Sequence, residues 1–243
     1  MVLSSKIALG LDGCVAGWFA VFGCPGNWHR ELVSDRHRLQ ELLSISSLSF
    51  VDIPIGLSDN EAARQCDRWL RKRLGRSFAA CVFNPPARST LAATSYTEAC
   101  RLNQERTGKK ISVQTWNLVP KIRQIDEILT ECEFLRDRVR ESHPELLFQL
   151  LNGDRPLTHK KKTAAGQEER RQLLYNAIAD RPNWDDIRAS YRKKDVATDD
   201  IFDATVLAYF AAKAIANGTR SFPEPGSSDP KGLTMAISWA RLG

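Results

Sequence analysis

The 243-residue chain has six cysteines (14, 24, 66, 81, 100 and 132) but no C-x-x-C pair among them. That pattern argues against a zinc knuckle and against a disulfide framework, so reduced thiols in a cytoplasmic setting are expected. No apolar run approaches the roughly 20 residues that a membrane helix needs. The apolar run near the N-terminus is too short for the h-region of an export signal. Internal repeats and low-complexity segments are absent as well. The composition itself is ordinary for a globular protein, with 42% hydrophobic and 26% charged residues,. The net charge of +6 permits a polyanionic partner without demanding one,.

Against this background the stretch Lys6–Trp18, KIALGLDGCVAGW, stands out. Ile7, Ala8, Leu9 and Leu11 read as a buried strand that stops at Asp12-Gly13, and Trp18–Phe22 reads as its hairpin partner,. Trp28–Val33 supplies a third strand, and Arg38–Ile45 a short amphipathic helix,. In LSFVDIPIGL, Phe50, Val51, Ile53 and Ile55 form a strand with Asp52 inside it, ending at Pro54,. Residues 60–131 read as a mainly helical insertion in a single domain spanning 1–243. Its first helix, 60–74, is so charged that a solvated face is expected,. Val139–Glu145 is a strand-to-helix junction, and Thr158–Gly166 a basic loop leading to a helix near 167–179. Asp199–Ala216 is the strongest helix, apolar nearly all round after Asp203 and therefore buried,. The Pro/Gly/Ser-rich segment Phe222–Asp229 reads as a loop before a closing strand, Leu233–Ala240,. Strands and helices in this order indicate an α/β sheet core.

The chemistry-bearing acids lie at the ends of apolar elements: Asp12, Asp52, Glu145, Asp199, Asp200 and Asp203. Each has a plain alternative. Asp12 suits a turn, and Glu145, Asp199 and Asp200 suit the first turn of a helix. Asp203 sits in a second turn, where a cap has no use. Together, three or four carboxylates repel one another unless cations lie among them, and hard oxygen ligands suit Mg²⁺ or Mn²⁺. Two such ions would activate water and stabilise the leaving oxygen of a phosphodiester.

The segments GLDGCVAGW, VDIPIGL, VFNPPAR, TWNLVPKIRQID, ESHPE, LNGDRPL with HKKKT, and DDIFDA occur in that order. In these the chain closely resembles the domain-of-unknown-function 429 family of predicted nucleases, from Lys6 to about Phe222. That resemblance implies a ribonuclease H-like fold, a mixed five-stranded sheet flanked by helices. It also implies acids at Asp12 on the first strand and Asp52 on the fourth, with a D-x-x-D-A pattern at Asp200-Ile-Phe-Asp203-Ala204 on the last helix. Glu145 matches an H-P-E motif, and His143 beside it is read as a structural histidine ahead of a substrate contact or proton shuttle. Arg88, Lys121, Arg123, Lys160, Lys161 and Lys162 match basic positions that would contact phosphates of a nucleic acid.

The expected function is thus a divalent-metal-dependent nuclease or related phosphodiester hydrolase using Mg²⁺ or Mn²⁺, with two ions. One alternative is a non-catalytic nucleic-acid-binding or interaction protein on the same fold. A phosphotransferase of the sugar-kinase, hsp70 and actin type shares the G-x-D-G strand but needs a duplicated domain and a second glycine-rich phosphate loop. The later glycines 153, 166, 218 and 226 sit singly.

Overall fold

A computed structural model describes residues 6–59 and 64–241. The chain forms β1 (Ala8–Cys14), β2 (Gly17–Cys24), β3 (Asn27–Val33), α1 (Arg36–Ile45) and β4 (Leu48–Val51). Next come α2 (Gln65–Phe78), α3 (Tyr96–Thr107), α4 (Val113–Glu131), β5 (Val139–Glu141) and α5 (Pro144–Leu151). The rest is α6 (Ala164–Ala177), α7 (Trp184–Ala189), α8 (Thr198–Asn217), β6 (Thr219–Ser228) and β7 (Thr234–Ala240). These elements divide between two compact units, one of residues 1–52, 137–220 and 238–243, the other of 53–136 and 221–237.

The first unit is built on a mixed five-stranded sheet of order β3-β2-β1-β4-β5. β1, β2 and β3 are an antiparallel meander, whereas β4 runs parallel to β1 and β5 parallel to β4. The apolar runs explain the layout. β4 is buried at all four positions, as a central strand covered on both faces must be,. β3 is mostly half-exposed at the edge. On α8, Ile201 to Ala208 are buried without a break, as its all-round apolar sequence requires,.

Two strand ends differ from the sequence reading. β1 does not stop at Asp12. It continues through Cys14, with Asp12 opposite Phe19 of β2. What ends there is the pairing with β4, whose last partners are Leu11 and Val51. β4 in turn stops at Val51, so Asp52 lies just beyond the strand, where its N–H donates to Leu11 O (3.0 Å). The apolar residues Ile53 and Ile55 are buried without being strand.

The second unit holds α2, α3 and α4, and the region read as an insertion, 60–131, lies within it. The start of the expected helix 60–74 falls at 60–63, outside the described residues; α2 begins at Gln65. Its charge is not all solvated. Arg64 and Asp67 are buried as a pair (2.7 Å), and Arg64 also donates to the carbonyls of Ile55 and Gly56. Phe222–Asp229, expected to be loop, lies largely in β6, which pairs with β7 as a two-stranded sheet. Pro223 and Pro225 are tolerated because each strand of a two-stranded ribbon keeps a free edge needing no N–H. The unit boundary falls within both strands.

Candidate active site

The site is organised by a close backbone contact between β1 and α8. A Cβ built on Gly10 would lie 2.2 Å from Ala204 O and 2.3 Å from Ala208 N, so only glycine lets the helix backbone rest on the strand here. Side chains alternate along a strand, so Asp12 shares the face of Gly10. Asp203 is the residue before Ala204. The parallel register that sets Val51 beside Leu11 sets Asp52 beside Asp12. Two strands and one helix thereby bring Asp12, Asp52 and Asp203 together from three distant parts of the chain.

Their electrostatics follow from that crowding. Burial, then the charges of Asp203 and Asp52, push the Asp12 carboxyl well above the usual carboxylate range. Burial likewise raises Asp52 to about 7, against the pull of Lys161. Side by side and desolvated, both carboxyls are pushed toward the protonated form,. Asp203 is 1% exposed, and its Oδ1 is buried with no hydrogen-bond partner. Asp203 Oδ2 accepts from Lys161 Nζ at 2.7 Å, and Asp199 Oδ2 lies 3.8 Å from the same ammonium. The neighbouring carboxylates hold Lys161 well above the usual lysine range. Asp200 faces a different task. Its Oδ2 accepts from Ala197 N at 2.7 Å, capping α8, and burial lifts it to about 6. Among the described residues, no group of three or more His, Cys, Asp or Glu side chains is disposed to hold a metal ion. The three central acids crowd about one ammonium, that of Lys161.

Glu145 lies at the start of α5, both oxygens accepting from Arg170 Nη2 at 2.9 and 2.6 Å. Arg170 is fully buried on α6, and its Nη1 also donates to His159 O and Gly166 O. Burial raises the Glu145 carboxyl despite the guanidinium. Arg170 was not among the residues singled out from the sequence. Its signal was there, as Gly166, Arg170 and Leu174 form the buried stripe of α6 at four-residue spacing,.

The remaining positions disperse. Of the lysine triplet, Lys160 and Lys162 are exposed and only Lys161 turns inward. His143 is half-buried immediately before α5, its carbonyl accepting from the N–H groups of Leu146 and Leu147. Arg88, Lys121 and Arg123 belong to the second unit. The Arg88 guanidinium is engaged by Asp126 (2.6 Å) and by Asp229. Arg123 donates to Leu91 O and Ala93 O, and Lys121 is half-buried on α4. Trp116 packs beside Ala93, Ala99, Cys100 and Ile111.

A family model described as "Protein of unknown function (DUF429)" matches residues 10–227, and the chain belongs to that family. No curated protein and no solved structure matches the chain. Among the described residues, no helix is long and apolar enough to cross a membrane.

Proposed function

We propose that this member of the family is a divalent-metal-dependent nuclease or related phosphodiester hydrolase, with Asp12, Asp52 and Asp203 as the ion-holding residues and Asp200 beside them. The observation that carries the reading is the convergence of three carboxylates, one with a buried oxygen, Asp203 Oδ1, that accepts no hydrogen bond. An uncompensated anionic oxygen in a buried site is costly, and a cation is the group that would satisfy it. The donor set is all oxygen, which fits Mg²⁺ or Mn²⁺. The strand order, with an acid on β1 and another just past its parallel neighbour β4, is consistent with the ribonuclease H-like assignment.

Two ions, when bound, would supply an activated water and stabilisation of the leaving oxygen. The chain's own residues do the rest. β1 and α8 fix the separation of Asp12 and Asp203. Asp200 holds the start of α8, and the Glu145–Arg170 pair fixes the loop carrying Lys160–Lys162. The exposed Lys160 and Lys162 offer phosphate contacts to a nucleic-acid substrate.

A second reading, a non-catalytic nucleic-acid-binding or interaction protein, has one observation in its favour: Lys161 already pairs with Asp203. A substrate panel of RNA, single- and double-stranded DNA, hybrids, branched DNA and nucleotides with Mn²⁺ separates the two. Cleavage is expected, and it should vanish in folded Asp12→Asn and Asp203→Asn proteins. Cleavage that persists in both variants refutes the metal site; binding without cleavage of any substrate selects the second reading.

A further inference from the structure

We infer that Lys161 is a built-in counter-cation of the acid cluster, seated on Asp203 in the metal-free protein and displaced from it when a divalent ion enters, which frees the ammonium for a substrate phosphate oxygen. The inference rests on the metal-site reading above. Its first support is the asymmetry of the lysine triplet. Lys160 and Lys162 are exposed, whereas Lys161 reaches Asp203 Oδ2 at 2.7 Å. The Lys161 side chain is still 32% exposed while that of Asp203 is 1% exposed. The ammonium therefore enters a buried site from an open side and has a way out.

The second support is how firmly the loop backbone is held. Thr158 N and His159 N donate to the two oxygens of Glu169 at 2.7 and 2.9 Å. Arg170 Nη1 donates to His159 O (3.2 Å), and Thr163 N and Oγ1 both donate to Lys160 O. A Cβ on Gly166 would lie 2.1 Å from Lys160 O, so α6 rests directly on the residue before Lys161. The backbone is pinned on both sides of Lys161, while the lysine stem keeps its rotatable bonds. The side chain can swing without the loop moving.

The third support is charge. An ion on the unpartnered Asp203 Oδ1 would lie one carboxylate's width from the ammonium that donates to Oδ2, and two cations that close repel,. A divalent ion carries two charges to carboxylates that now share one ammonium. Exchange of the ammonium for the ion is the arrangement that spares the Asp203 carboxylate two cations side by side.

The test titrates Mn²⁺ into the full chain and reads free Mn²⁺ by electron paramagnetic resonance, in wild type, K161M, K162M and D203N. Removing a competing charge-assisted hydrogen bond should tighten binding about tenfold in K161M. K162M, which loses the same charge from an exposed position, should bind as wild type. A second arm uses wild type alone and does not depend on any variant folding. Pulse acetylation read by mass spectrometry should find Lys161 protected relative to Lys160 and Lys162 without metal, and comparably reactive at saturating Mn²⁺. Protection that persists at saturating Mn²⁺, or equal affinities for wild type and K161M, overturns the inference. If Mn²⁺ binds, D203N abolishes binding and K161M has no effect, this inference alone falls. If no variant binds Mn²⁺, the metal-site reading falls with it.

Discussion

Replacing Arg170 by Met tests whether Glu145 is a structural partner or a free catalytic carboxylate. Arg170 is fully buried, with two contacts to Glu145 at 2.9 and 2.6 Å and two more to carbonyls at 3.2 and 3.0 Å. Methionine keeps much of the volume and removes every one of these donors. The carboxylate left behind would cost about 3–5 kcal/mol if it stayed charged. It has an escape, because it can take up a proton. From the ordinary glutamate pKa of 4.5, protonation at pH 7 costs about 3.4 kcal/mol, which caps that part of the loss,. Each abandoned carbonyl adds about 1 kcal/mol. The expected deficit is therefore about 5 kcal/mol at pH 7, close to the whole stability of a marginal domain. Once Glu145 is neutral in the folded variant, the folded state holds a proton that the unfolded state lacks. The deficit should then shrink by up to about 1.4 kcal/mol per pH unit from pH 7 to pH 5. Urea unfolding of wild type and R170M at pH 5, 6 and 7 measures this, and R170M/E145L should recover most of the loss. A deficit below about 1 kcal/mol at pH 7, or a double variant no better than the single, would refute the reasoning.

The raised carboxyl of Asp52, about 7 against an ordinary 3.8, makes the folded state the better proton binder between these values. The Asp52 contribution to the stability of the metal-free protein should therefore fall as pH rises from about 4 to 7, by about 4 kcal/mol,. Added Mn²⁺ should raise the thermal midpoint more at pH 8 than at pH 5, and equal effects at both would count against ion binding at these acids. Gly10→Ala should cost about 3 kcal/mol or more in urea, because both close contacts are backbone atoms that cannot turn aside,; a loss under about 1 kcal/mol would contradict the packing. Arg88→Met should destabilise the protein by about 1–3 kcal/mol, since Asp126 keeps Lys231 and Asp229 keeps its backbone donors, without changing the salt dependence of nucleic-acid binding,. Lys160→Ala and Lys162→Ala should do the reverse, each reducing the log K against log salt slope by about 1 with little change in unfolding.

The sheet was legible because hydrophobic runs and their polar interruptions report burial directly. Ile201–Ala208 and Phe50–Val51 are cases where the pattern and the packing agree. The ends of strands were less legible, since hydrogen-bond partners decide them. Nothing in the sequence says that β4 stops opposite Leu11 while β2 keeps pairing as far as Cys14. Phe222–Asp229 misled because proline and glycine usually punctuate, yet a two-stranded ribbon accommodates them. The acids were visible as a set, but their division of labour was not. A carboxylate that caps a helix, such as Asp200, and one aimed into a cluster, such as Asp203, look alike three residues apart. Arg64, Arg88 and Arg170 were obscured for a related reason. A basic residue reads as surface until its buried acid is found, and those acids, Asp67, Asp126 and Glu145, lie from 3 to 38 residues away.

The contact at Gly10 bears on selectivity among ions. The gap between the acids of β1 and α8 is set by main-chain atoms touching main-chain atoms, the least compressible spacer a protein has. Mg²⁺ asks for oxygens at about 2.1 Å and Ca²⁺ for about 2.4 Å in a looser, larger shell. A separation governed by side-chain packing would drift with every core substitution and blur that distinction. In the proposed metal site the tolerance for ionic radius would be inherited from a residue with no side chain, one that would touch neither ion nor substrate.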